Sequence, residues 1–468
     1  MFKYCVAVIL AIGLSACTTT PTAPPVLDLP PASANEPSLE KWWTAFGDAT
    51  LNALVEEALA HNLDLAAAMA RVDQARAQYK AAEFTQLPDV NIGAGASRSR
   101  QTLVGGIPLP FGTPVISNNF NASLNASYEL DLWGKYRIAT DAARNNLMAS
   151  EYARETMRTV VAAETARAYF RLLASDAQLS QFNDTLKSRI ETVDLQKDRY
   201  QAGVIGDFDL VTAEAERAAV SSDIAVAVRL VAENEAALAA LLGRTPREVF
   251  APQFARDVKM IWLVSVPTLP EGLPSQMLER RPDIRDAEKQ LAAANQRIDV
   301  ARANYFPAIT LTGGFGSESG LLKNLFSGPA MIWSIGAGLV QPLVGLTLIK
   351  ADVDLKTAQR DESVVNYRQT VQSAFKDTHD ALVANQTTRD ALAAQAERRD
   401  KLQRALDVAN LRYTSGYSPY LEVLDAQRQL LQAQTLQIIA ARDVRLAVVD
   451  LAKALGGGWD YKTAVAGK

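Results

Sequence analysis

Cysteine and histidine are scarce: the 468 residues include two of each. Two thiols, Cys5 and Cys17, cannot build a disulfide framework. His61 and His379 stand in distant segments, which leaves no basis for a histidine-rich metal site or a histidine-based triad. An excess of one charge is missing too. Lys and Arg total 48 against 52 Asp and Glu, a net charge of −4, so there is no basic footprint for nucleic acid. Long hydrophobic runs are absent apart from residues 4–16, too short to span a bilayer as a helix. Gly456-Gly457-Gly458 lacks a following Lys-Ser/Thr and reads as a helix stop, not a phosphate loop. No metal spacing or nucleophile constellation stands out. The chain is expected to be no enzyme and to hold no metal and no cofactor. What is present is 48% apolar residues, ample for a large fold and incompatible with global disorder.

Residues 1–17 combine Lys3 as a short positive region, an apolar stretch from Tyr4 to Leu14, and small residues before Cys17. This is the pattern of a secretory signal, residues 1–16, to be set aside in fold reasoning. The ending Leu14-Ser15-Ala16-Cys17 resembles the bacterial lipobox, in which the signal is cut before the Cys and that Cys receives palmitate-type acyl chains. The alternative is an ordinary signal with an incidental Cys. Thr18 stands where Asp would imply inner-membrane retention, so the same resemblance implies outer-membrane sorting. Residues 17–37, rich in Thr, Pro, Ala and Ser, read as a tether.

The dominant organisational signal is an internal repeat. Arg199-Tyr200-Gln201-Ala202-Gly203 returns as Arg412-Tyr413-Thr414-Ser415-Gly416, an offset of 213. Leu242-Gly243 and Leu455-Gly456 keep that offset, and Leu132-Trp133-Gly134 meets Leu343-Val344-Gly345 at 211. The motif order is the same in both halves, which points to duplication. Each half holds a long stretch without proline, residues 115–245 and 343–418, rich in helix-forming Ala, Leu, Gln, Glu and Arg. Apolar residues recur every three to four positions, as at Leu179, Phe182, Leu186, Ile190 and Val193, the seam of a coiled coil. A single helix over 134–200 would be about 100 Å long at ~1.5 Å per residue. No ordinary globular core hides a helix of that length.

Four segments of another kind interrupt the helices. In the clearest, Phe120, Ala122, Leu124, Ala126, Tyr128 and Leu130 alternate with Asn, Ser and Glu. This period of two predicts a strand with one apolar and one polar face, of the length that crosses a bilayer at a tilt. The expected strands are ~88–100, ~117–133, ~305–316 and ~329–343, joined in pairs by loops at 101–116 and 317–328. A soluble hairpin packed on the helices is the alternative. Against it stands the placement of two hairpins at equivalent points of the two halves of an exported chain. Four strands cannot close a barrel, and open edges in lipid leave backbone groups unsatisfied. Two chains would give eight strands and a nearly filled interior; three would give twelve, with room for a lumen lined by the polar faces.

Several stretches carry a family resemblance: the lipobox at Cys17, Lys41-Trp42-Trp43-Thr44-Ala45-Phe46-Gly47, Tyr128-Glu129-Leu130-Asp131-Leu132-Trp133-Gly134, Arg280-Arg281-Pro282-Asp283-Ile284, Tyr305-Phe306-Pro307, Tyr420 to Gln427 and Ala454 to Trp459. In this order they resemble the TolC-like outer-membrane efflux factors, in the lipidated branch that serves resistance-nodulation-division pumps. The resemblance implies a mainly α fold with a transmembrane β-barrel portion. A homotrimer would build a 12-stranded barrel and a periplasmic barrel of coiled-coil helices. It also implies a passive exit duct for drugs or other small solutes, lipid-anchored in the outer membrane and partnered by a periplasmic adaptor and an inner-membrane pump. Expected domains are a first repeat at 38–245, a connector at 246–279, a second repeat at 280–460 and a tail at 461–468. A type I protein secretion duct and a non-pore periplasmic lipoprotein are the rival readings.

Gly416 suits a left-handed helix cap and Pro419 a first helical turn, which predicts a helical hairpin tip. Asp207 is expected to cap the equivalent helix of the first half. Just inside the tip, Glu422 and Asp425 share one helix face. They are either first-turn acids matched to the helix dipole or, as the resemblance implies, a periplasmic gate with six carboxylates near a three-fold axis. The resemblance adds Tyr413 and Arg412 to the gate, with Tyr200, Arg199 and Asp209 as weaker candidates. It makes Gly203 and Gly416 the adaptor-contact tips. Trp133 and Trp333 are expected either as anchors at the membrane interface or as core. Asp283 reads as a helix start, and His61 and His379 as solvated helix residues.

Overall fold

The computed structural model describes residues 39–102, 114–254, 256, 262, 266–267 and 280–459. The signal, the tether with Cys17, most of the 101–116 loop, most of the connector and the 461–468 tail lie outside the described residues.

Several helices start where a short polar side chain accepts from their free amides. The Asp48 carboxylate accepts from the Thr50 and Leu51 amides (2.8 and 3.2 Å) and opens α1, Ala49–His61. Asn62 accepts from the Asp64 and Leu65 amides to open α2, Leu63–Phe84, and its Nδ2 donates to the Leu241 carbonyl at 2.8 Å. Strands β1, Asp89–Arg100, and β2, Ile116–Glu129, follow. Asp131 accepts from the Tyr136 and Arg137 amides (3.1 and 3.0 Å) at the head of α3, Lys135–Gln201, a helix of 67 residues. Then come α4, Asp207–Leu241, the short α5, Pro246–Phe250, closed by a Thr245–Glu248 capping box, and α6, Pro282–Ala303. The second half continues with β3, Ala308–Ser319, β4, Met331–Val340, α7, Leu346–Thr414, of 69 residues, and α8, Tyr420–Ala454. Neither α3 nor α7 contains Gly or Pro, so nothing in them breaks the hydrogen-bond ladder. No helix among the described residues is long and apolar enough to cross a membrane.

The chain divides into two compact units. One, among its described residues, comprises parts of 73–149 and 287–367 and holds the sheet. Its order is β1-β2-β3-β4, every pair antiparallel. The strand ends differ from expectation at chemically definite points. β2 stops at Glu129 because Asp131 turns to cap α3. β3 starts after Pro307, which has no amide to donate, and runs on to Ser319, paired with Phe120. β4 ends ahead of Pro342.

The other unit, among its described residues, draws on 39–72, 150–286 and 368–459. Its core gathers Trp42, Trp43 and Phe46 against Tyr169, Phe170, Leu173, Leu238 and Val448. The Tyr169 hydroxyl donates to Asp48 at 2.7 Å; burial, reinforced by this carboxylate, pushes the phenol well above its usual range. Gly243, with φ 67°, is where backbone meets backbone: a Cβ there would lie 2.0 Å from the His61 carbonyl oxygen. His61 and His379 have exposed side chains.

Candidate functional site

Two places concentrate features that packing alone does not require: the helical tips in one unit and the sheet in the other.

Helices α3 and α7 end identically. Gly203 and Gly416 are left-handed, with φ 71° and 77°. In each turn the glycine amide bonds the carbonyl three residues back, Gly203 to Tyr200 (2.9 Å) and Gly416 to Tyr413 (3.0 Å). The next amide bonds five back, Val204 to Arg199 (3.0 Å) and Tyr417 to Arg412 (2.8 Å). This is the Schellman closure, made twice by the repeated Arg-Tyr-x-x-Gly. Both glycines are exposed, with open space around their Cα atoms. The helices that leave the turns start differently from expectation. Gly206, not Asp207, occupies the cap of α4, and Asp207 is its first helical residue; Pro419 is the cap of α8.

Behind the turns, Val193, Ala213, Ala409, Tyr420, Val423 and Leu424 bring α3, α4, α7 and α8 into one small core. Polar ties cross it. The Tyr413 hydroxyl accepts from Arg199 Nη1 at 2.6 Å and lies 3.1 Å from Gln196 Nε2, while the Arg199 guanidinium sits 4.9 Å from the Tyr413 ring centroid. Arg412 instead stays within its own hairpin, with Nη2 at 3.4 Å from Glu422 Oε1. Glu422 and Asp425 are exposed on the face of α8 away from buried Val423 and Leu424; Asp425 accepts from Gln429 at 2.6 Å. Tyr200 is exposed and Asp209 half-buried.

Sequence reading missed a second tie farther from the tip. Arg189 is buried on α3, Glu216 of α4 lies 3.9 Å from it, and Arg428 of α8 donates to the same carboxylate through Nε at 2.9 Å. Gln427 takes the other arm of Arg189. Burial lowers the Arg189 pKa and the Glu216 charge opposes that; the Glu216 hydrogen bond raises that of Arg428. Charged residues on helices at ordinary spacing look solvated in sequence, so no local signal marks this cluster.

In the sheet, register turns the alternation of four strands into two faces. Ile92 pairs with Leu124, Leu124 with Phe315 and Phe315 with Trp333, so the apolar rows share one side. Asn91 pairs with Asn125, Asn125 with Gly314 and Gly314 with Ser334 on the other. The apolar side is uncovered: Ile92 is 86% exposed, Ile335 84% and Trp333 74%. Trp133 lies beyond the strand end, stacked on Phe306 at 4.7 Å with Nε1 donating to the Pro307 carbonyl at 2.8 Å. No group of His, Cys, Asp or Glu among the described residues could hold a metal ion.

Comparison with known proteins agrees on one family. The model of the family described as outer membrane efflux protein matches residues 54–244 and 273–457. The pyoverdine export outer membrane protein OpmQ of Pseudomonas putida is 34% identical over 460 residues, covering 96% of each chain. The cation efflux system protein CusC of Escherichia coli is 34% identical, over 89% of this chain and 88% of its own. Among solved structures, the Campylobacter jejuni CmeC outer membrane channel superposes with a TM-score of 0.87 at 28% identity, over 95% of this chain and 97% of that one.

Proposed function

The chain belongs to the outer membrane efflux protein family, and on that premise we propose how this particular sequence builds and gates its duct. The protein is an efflux channel of the outer membrane, not an enzyme. Three copies join, β1 of one against β4 of the next, into a twelve-stranded barrel. The apolar face meets lipid, and the Asn, Ser, Thr and Gly face lines the lumen. The observation that carries this reading is the four-stranded sheet itself, bare on its apolar face and open at both edges. A lone chain would leave those edges unpaired in lipid.

The helical hairpins then extend into the periplasm and end at the Gly203 and Gly416 turns, where small exposed residues let a periplasmic adaptor approach. The adaptor couples the duct to an inner-membrane pump, which supplies energy and most of the selectivity. Cys17, lipidated after loss of residues 1–16, anchors the chain. Trp133 and Trp333 stand at membrane level. The cargo is a small solute, as the names of the relatives for pyoverdine and cations support.

Glu422 and Asp425 line the constriction at the tips, with Tyr413 and Arg412 holding neighbouring helices to it. Six carboxylates converging on an axis repel one another unless cations intervene, so closure responds to divalent ions. The test is single-channel conductance of a Glu422→Ala/Asp425→Ala variant in planar bilayers. Raised conductance and lost block by divalent cations are expected; wild-type conductance with unchanged block rejects the gate assignment.

A further inference from the structure

The ionisable residues of the four strands are sorted by face. Arg98 and Arg100 of β1 continue the apolar row that runs through Ile92 and Ala96, paired with Asn118 and Ile116 of β2. Asp89, Glu129 and Glu318 all fall on the opposite, polar face. These five are the only Asp, Glu, Lys or Arg residues in the strands. Both cations of the sheet therefore stand on its lipid-facing side, with no acid on that side to neutralise them. Both are exposed. They also stand at one end: β1 begins next to α2 at Asp89 and reaches the arginines only at its last three residues, where the hairpin loop takes over.

Two guanidinium groups two residues apart on a strand project the same way, just past the rim of an apolar band. That is the depth of lipid headgroups, where a long side chain lays its stem on apolar surface and keeps its charge in the polar layer. A planar guanidinium matches phosphate oxygens in bidentate fashion. If the helices occupy the periplasm, the arginine end faces the outside of the cell.

We propose that Arg98 and Arg100 form a binding site for the phosphate groups of the phosphorylated glycolipid in the outer leaflet, whose acyl chains lie along the apolar row through Ala96 and Ile92. The site rests on the reading of this sheet as a span of the outer membrane. It fixes the vertical position of the chain and sets a glycolipid shell beside the seam where β1 meets β4 of the next copy.

The test uses the purified full chain in detergent, titrated separately with diphosphorylated lipid A, with dephosphorylated lipid A and with phosphatidylethanolamine. Wild type is expected to prefer the diphosphorylated form at least about tenfold, and the preference weakens as salt rises. Arg98→Ser/Arg100→Ser abolishes it, Arg98→Lys/Arg100→Lys keeps part of it, and Glu318→Gln, on the other face, leaves it unchanged. Equal binding of the two lipid A forms by wild type, or an undiminished preference in the double Ser variant, overturns the proposal. Conductance of the same preparations is measured alongside. Wild type that conducts but does not discriminate defeats the glycolipid site alone; wild type that never inserts defeats the channel reading and the site together.

Discussion

At the scale of single residues, Tyr413 carries an asymmetry that the repeat conceals. By the offset, Arg199 corresponds to Arg412 and Asp209 to Glu422. Symmetry alone would pair Arg199 with Asp209, as Arg412 pairs with Glu422. Arg199 instead crosses to the Tyr413 hydroxyl and ring of the other half. The second hairpin is thereby tied to α3 by a neutral acceptor, and removing one oxygen should loosen it. Tyr413→Phe keeps the ring under the guanidinium but deletes a hydrogen bond to a charged group, worth about 1.5–3 kcal/mol. Planar-bilayer recordings should show a larger conductance or more frequent opening than wild type; identical traces would mean that the tie does not restrain the tip. Sequence made the glycine turn beside Tyr413 legible, because a left-handed cap leaves a Gly at a fixed place and the duplication shows it twice. It left the partner of Arg199 hidden, and with it the cluster that buried Arg189 forms with Glu216 and Arg428. Those depend on which helices become neighbours, and charged helical residues have no period that reports it.

At the scale of elements, the strands were legible to within a few residues because a pleated strand with one apolar face writes its alternation directly into the sequence. Their ends were less so. Asp131 and Pro307 stop two of them through local chemistry, capping in one case and a missing amide in the other. The register makes a sharp claim about the two faces, testable with one charge at adjacent positions. Ile92→Lys puts an ammonium in the middle of the lipid-facing row, costing about 2–4 kcal/mol per chain at the bilayer midplane. Asn91→Lys puts the same charge on the polar face. The first is expected to lose assembled protein from outer-membrane fractions, the second to assemble normally and shift ion selectivity toward anions. Equal behaviour of the two variants would contradict the assignment of faces.

At the scale of the whole molecule, the deciding feature is incompleteness. A sheet of four strands has two edges, and within a membrane every amide and carbonyl along them needs a partner from another chain. Closure by two copies would give eight strands and an interior packed with side chains, useless as a duct; closure by three gives a lumen. The number of copies is open to a direct count. Wild type and a charge-tagged version, co-expressed at equal levels and assembling at random, should separate on ion exchange into four species in a ratio of about 1:3:3:1 if three chains share one barrel. Three species would indicate pairs, and two would indicate chains that never mix. With pairs, the polar rows of Asn, Ser, Thr and Gly would face one another across a narrow interior that they have too little bulk to fill. The small residues on that face are therefore an independent reason to expect the fourth species.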